Sequence, residues 1–184
     1  MPTQPISKHD LFDAFADDLL AERMPRPLII VGTSKVDLLL FGILDAYLLP
    51  KRAKPKHKDE LLEGDRPLAT FSARIKMCYR LGLIDENLYS SLETLRNLRN
   101  PSAHSIAFDI GLSPTREYLA TLRKGITGRR SYALTKERYF GLDPLSKIEE
   151  IQCMLLTLCV LLESIREGTE TSRVSRLALS VAKR

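Results

Sequence analysis

Tryptophan is absent from this chain of 184 residues, and histidine and cysteine occur only three times each. The scarcity excludes several chemistries. His9, His57 and His104 have no paired ligand spacing, and the acidic residues form no compact metal motif, so no metal site is expected. Cys78, Cys153 and Cys159 lack zinc-knuckle spacing, and two of them fall in apolar helical stretches. They read as buried thiols of a reducing cytoplasm rather than as a disulfide framework. The opening, MPTQPISKHDLFDAF, has no basic stretch followed by an apolar run, so no secretory signal is expected. Lys35, Asp37 and Asp45 interrupt the most hydrophobic segment, leaving no apolar run of the roughly 20 residues that a membrane span needs. Ser34-Lys35 resembles a phosphate-loop ending but lacks its glycine pattern, and no serine-nucleophile arrangement, helix-turn-helix pair or zinc finger emerges. No cofactor is implied.

What remains is a chain of ordinary apolar content, long enough for one substantial core. A formal charge of +5 permits an anionic partner without requiring one. The first residues are expected to be loose, and a short amphipathic helix is expected from about Asp10 to Arg23. Pro25 and Pro27 then break the chain. Leu28 to Leu49 reads as a long apolar helix rather than a strand, with Gly32 and Gly42 permitting close packing or imposing a small cost. Asp37, buried within it, needs a partner. KRAKPKHKD, from Lys51 to Asp59, reads as a solvated basic connection.

The next helix is expected over Leu68 to Leu81 and stops at Gly82. Ile84 followed by Asp85 is a hydrophobic residue before an acidic cap, and Leu88, Leu92, Leu95 and Leu98 mark one face of the helix that follows. Asn100 as a cap and Pro101 as a first helical residue place a break there, which lets Arg99 and His104 converge. Ser113-Pro114 reads as another helix start. Residues 124–140, rich in Arg and Lys, read as a basic arm: a strand, a hairpin arm or a loop. Asp143-Pro144 starts the strongest periodic pattern, in which Ile148, Ile151, Leu155, Leu158, Leu162 and Ile165 recur every three or four residues to Arg166. A short separate helix follows Gly168. The fold class expected is all-α, one helical-bundle domain of five to seven helices.

Two resemblances attach to these residues. Leu62 to Leu68, then Phe71-Ser72-Ala73-Arg74-Ile75-Lys76, Tyr79 to Ile84 and the helix to His104 resemble the central block of the mannitol operon repressor family. That likeness extends over about Leu28 to Leu122. It implies an all-helical, non-enzymatic transcriptional regulatory or interaction protein that lacks a helix-turn-helix reader and acts through a regulatory protein partner or an assembly. Arg99-Asn100-Pro101-Ser102-Ala103-His104 resembles the arginine, polar residue and histidine motif of the HEPN helical superfamily. It implies an HEPN-like bundle and, as the alternative function, a metal-independent endoribonuclease with Arg99, Asn100 and His104 facing their counterparts across a homodimer.

In that alternative, His104 moves a proton while an RNA 2′-hydroxyl attacks the neighbouring phosphate, Arg99 stabilises the phosphoryl oxygens and Asn100 orients the group. Arg74, Arg96, Arg129, Arg130 and Tyr132 are the candidates for contacting phosphate or a partner, since basic side chains hold phosphates and a tyrosine stacks on a base. Asp37 and Asp85 are assigned structural roles. The competing bland reading pairs Arg99 with Asp37 or Glu93, leaves Asn100 as a cap and bonds His104 to a carbonyl. The expected setting is cytoplasmic, with a homodimer or higher homo-oligomer, a regulatory protein partner or RNA, and no membrane; direct sequence-specific DNA binding stays open.

Overall fold

The computed structural model describes residues 8–48, 59–104 and 108–181, with side chains described over 11–48, 59–103 and 108–173. The N-terminal residues 1–7, most of the basic connection with His57, and the side chains of His9 and His104 lie outside the described residues. Among those described, the chain is all-α, with seven helices: α1 (Lys8–Ala21), α2 (Pro25–Tyr47), α3 (Phe71–Arg80), α4 (Glu86–His104), α5 (Thr115–Ile126), α6 (Arg130–Phe140) and α7 (Lys147–Val181).

The longest interface joins α2 to α7. Both are apolar on more than one side, which single-sided packing cannot satisfy, so they form the centre and the other helices cover them. Leu28, Ile29, Val36, Leu40, Ile43 and Leu44 of α2 meet Ile151, Leu155, Leu158 and Leu162 of α7 in one buried cluster. Gly32 sets the distance: a Cβ there would lie 2.6 Å from Cδ1 of Leu155. Gly42 likewise lies against Arg166, whose Cδ would be 2.9 Å from an added Cβ. By length and composition α2 alone would pass for a membrane-crossing helix, contrary to the sequence expectation, but half of that window is buried inside the fold. The break expected at the prolines falls at 22–24, and Pro25 itself opens α2, ahead of the expected start at Leu28. Pro25 occupies the first turn, where its missing N–H costs nothing.

Four further boundaries differ from expectation. First, α4 runs through Pro101 to His104 without a break. Proline is costly in a helix interior, but here only three residues follow it, and the fully buried Ser102 donates to the Leu98 carbonyl at 2.9 Å, tying the final turn to the core. Second, residues 130–140 are no arm but a helix. Tyr132, Tyr139 and Phe140 pack on the core while Thr135 is buried, and Gly141, at φ +72°, ends the helix. Third, α7 starts after Ser146 rather than at Asp143-Pro144. Glu149 N–H donates to Ser146 Oγ at 3.3 Å and Ser146 N–H donates to Glu149 Oε2 at 2.8 Å, a reciprocal capping box. The same helix passes Gly168 uninterrupted, spanned by Arg166 bonds to Glu163 and Glu170. Fourth, Ser113 does not cap α5. Its hydroxyl donates to Glu117 Oε1 at 2.8 Å, and Pro114 occupies the cap position.

Two polar side chains join elements distant in sequence. Gln152, fully buried on α7, places Nε2 at 3.1, 3.0 and 2.9 Å from the carbonyls of Leu19, Leu20 and Glu22, satisfying the C-terminal end of α1. Asp85 caps α4 by accepting from Leu88 N–H at 2.6 Å. That bond, with Arg129 at 3.3 Å, holds its carboxyl below the usual carboxylate range.

Candidate functional site

Where α2 passes the start of α3 and the latter half of α4, the three helices leave a cleft of about 320 Å³. Thr33, Ser34 and Asp37 come from α2, Thr70, Phe71 and Ser72 from the start of α3, and Arg96, Arg99 and Asn100 from α4. The placement follows from local sequence. Thr70 caps α3 by accepting from Ala73 N–H at 3.2 Å, which leaves the N–H groups of Phe71 and Ser72 without an intrahelical acceptor. Leu92, Leu95 and Leu98 bury the inner face of α4, turning Arg96, Arg99 and Asn100 toward the rim. On α2, Val36 and Leu40 are buried, while Asp37 stays half-buried at the cleft.

The cleft is electrostatically uneven. Arg96 is held by Glu93, donating to Oε2 from Nε at 3.2 Å and from Nη2 at 2.9 Å. Asp37 is held by Arg74, whose Nη1 donates to Oδ1 at 2.7 Å. Both carboxylates considered for Arg99 are therefore engaged elsewhere, and the exposed Arg99 has no ion-pair partner among the described residues. Asn100 is also exposed and lies within α4 rather than capping a new helix.

Thr33 adds a further polar group. Threonine in a helix usually donates to the carbonyl four residues back, as Thr157 does to Cys153 at 2.7 Å and Thr169 to Ile165 at 2.7 Å. Thr33 does not. It is 3% exposed and its hydroxyl has no hydrogen-bond partner among the described residues, a state that costs about 1–3 kcal/mol for a buried hydroxyl.

The remaining expected site residues divide into separate places. Arg74 is not a free cation at the surface. Besides Asp37 it donates to the carbonyls of Leu62 and Leu68, each at 3.0 Å, and its guanidinium carbon lies 5.2 Å from the Phe41 ring centroid. Arg129 bonds Asp85, Arg130 is exposed at the start of α6, and Tyr132 is turned inward. Burial, with an interaction with Cys153, pushes the Tyr132 hydroxyl up to about 12. Asp85 and Arg99 lie at opposite ends of α4, 14 positions or about 20 Å apart. The basic residues near Arg129 therefore do not join the Arg99 cleft. Helix α4 is unbroken, so the break expected at Asn100-Pro101 to bring Arg99 and His104 together is not present.

Two solved structures share this architecture. One is described as a possible transcriptional regulator, YggD from Shigella flexneri, with a TM-score of 0.60 and 13% identity over 84% of this chain and 98% of that one. The other is MtlR from Escherichia coli in complex with HPr, with a TM-score of 0.56 and 20% identity over the same shares. The fold is related to that of these mannitol-operon-regulator-like proteins. No protein-family model matches the chain, and no curated protein sequence matches it.

Sequence reasoning found Arg96, Arg99 and Asn100 because they cluster within five residues. It missed Thr33, Thr70 and Ser72, which only tertiary packing brings beside them. Thr70 carried a local signal, a cap residue directly before Phe71.

Proposed function

We propose that this chain is a non-enzymatic regulatory protein of the mannitol operon repressor type, acting by docking a protein partner without reading DNA bases itself. The observation that carries the reading is the fold shared with MtlR, a protein crystallised with HPr. The partner assigned here is an HPr-like protein. The face assigned to it is the outer stripe of α2, where Val31 and Leu38 are 46% and 60% exposed, with Leu62, Glu63 and Gly64 lining a shared pocket beside Leu38. Isolated exposed leucines are ordinary, but these two lie seven positions apart on one helix face, with half-buried Phe41 continuing the stripe.

The proposed assembly is a homodimer and the proposed setting the cytoplasm, which three free, buried cysteines support. Hydrogen exchange with and without the HPr of the same organism tests the docking face. Protection concentrated on residues 31–41 is the expected result, and protection elsewhere with α2 unchanged overturns the assignment. Light scattering in the same samples reports the oligomeric state.

The second reading is the metal-independent ribonuclease. It draws support from Arg99, exposed and without an ion-pair partner among the described residues at a polar cleft. In this reading the motifs of two copies face one another across the proposed dimer. Chelator-resistant cleavage of single-stranded RNA, lost in a folded His104→Ala variant, would establish it. No cleavage by the wild-type dimer leaves docking as the function.

A further inference from the structure

We propose that the cleft between α2, α3 and α4 is a binding site for a phosphate-class oxyanion, independent of partner docking. Four observations converge on it. The first two N–H groups of α3, from Phe71 and Ser72, open at the cleft without intrahelical acceptors, at the positive end of a ten-residue helix. Arg99 supplies a guanidinium with no carboxylate partner among the described residues, and Arg96 supplies a second that Glu93 engages from one side. Thr33 lines the same cleft with a buried hydroxyl that has no hydrogen-bond partner among the described residues, the donor expected of a site built for an acceptor-only ligand. Asn100 offers amide donors at the rim.

Asp37 is the opposing charge and must be accounted for. Arg74 holds its Oδ1 at 2.7 Å and compensates it. With Arg74, Arg96 and Arg99 set against Asp37 and Glu93, the neighbourhood carries a net positive charge before the helix end is counted. A metal cation meets two arginines and backbone N–H groups here, and an apolar ligand would leave the donors unpaired. A tetrahedral oxyanion with several acceptor oxygens matches both the charge and the donors.

The experiment is a titration of the full chain followed by amide chemical shifts at constant ionic strength, with inorganic phosphate in one arm and glycerol phosphate in the other. The expected result is saturable binding with a dissociation constant of about 1 mM or tighter, and the largest shifts at Phe71 and Ser72. Arg99→Gln, at an exposed position, is expected to weaken it about tenfold or more. Thr33→Val, nearly isosteric, weakens it several-fold, while Arg130→Gln, an exposed arginine elsewhere, leaves it unchanged. Tighter binding of glycerol phosphate assigns the site to a phosphate ester, and equal binding assigns it to the free anion. Shifts that never saturate, or that Arg130→Gln reduces as much as Arg99→Gln, overturn the proposal. So does binding of single-stranded RNA without any binding of inorganic phosphate. Failure here leaves the proposed docking on α2 standing, since its test reads binding of HPr rather than of a small anion.

Discussion

Replacing Arg74 by methionine tests how the cleft is held open and in register. The side chain is 12% exposed and links three segments: Asp37 on α2, its own helix α3, and the carbonyls of Leu62 and Leu68 in the connection between α2 and α3. Removing one partner of a buried ion pair costs about 3–5 kcal/mol, because it strands the other charge. Asp37 is 30% exposed and water recovers part of that loss, so the expected cost is about 2–4 kcal/mol. For a chain of this size, about 3 kcal/mol corresponds to a fall in Tm of roughly 6–12 °C. Urea unfolding followed by far-ultraviolet circular dichroism reads it, provided the slope m is unchanged. Asp37→Asn in the Arg74→Met background removes the stranded charge and is expected to restore about 1–3 kcal/mol as coupling energy. A single variant within about 0.5 kcal/mol of wild type, or strictly additive effects, would refute the view that this pair organises the cleft.

Gln152→Leu should destabilise the chain by about 2–3 kcal/mol, since it strips the donor shared by three carbonyls at the end of α1, and hydrogen exchange should accelerate in α1 while α4 is unchanged. Uniform acceleration across all helices would argue against so local a role. Asp85→Ala should cost about 1 kcal/mol through the lost cap of α4. Because the folded carboxyl titrates below its ordinary 3.8, its contribution is complete above that value and disappears as pH falls through the lower folded value. Acid titration of the alanine variant should lack that component. At the other extreme, burial pushes the thiols of Cys78 and Cys159 from 9.0 up to about 12. Stability is then full below pH 9.0 and is lost as pH rises toward 12, and a thiol reagent at neutral pH should leave all three cysteines unmodified in the folded chain. Rapid labelling of any one of them at pH 7 would contradict the buried core described here.

Local signals explain which elements were legible in the sequence. Ile84-Asp85 marks the start of α4 because a cap acts within its own turn, and the leucine spacing of α4 and the isoleucine and leucine spacing of α7 reflect burial directly. At Pro101 the local rule failed, since Ser102 and Leu98, both buried, hold the last turn of α4 in place. Helix α6 was hidden by its charge: Arg130, Lys136, Glu137 and Arg138 are as many as the residues that pack inward, and Gly125 and Gly128 precede it. Gly125 in fact lies in α5, where an added Cβ would come 2.7 Å from Ser91 Oγ. The boundary of α7 was placed early because Asp143-Pro144 competes with the capping box three residues later. For the candidate site, the cluster on α4 is contiguous and was visible. Its counterparts on α2 and α3 are not, because no spacing within one helix encodes a cleft built by three.

The most direct test of the central claim is calorimetric titration of the full chain with the HPr of its own organism, comparing wild type with Leu38→Asp after circular dichroism has confirmed that both are folded. The account predicts saturable binding by the wild type and its loss in the variant, because Leu38 sits exposed in the middle of the assigned stripe. No heat of binding with the wild type, or equal binding by both proteins, would contradict it.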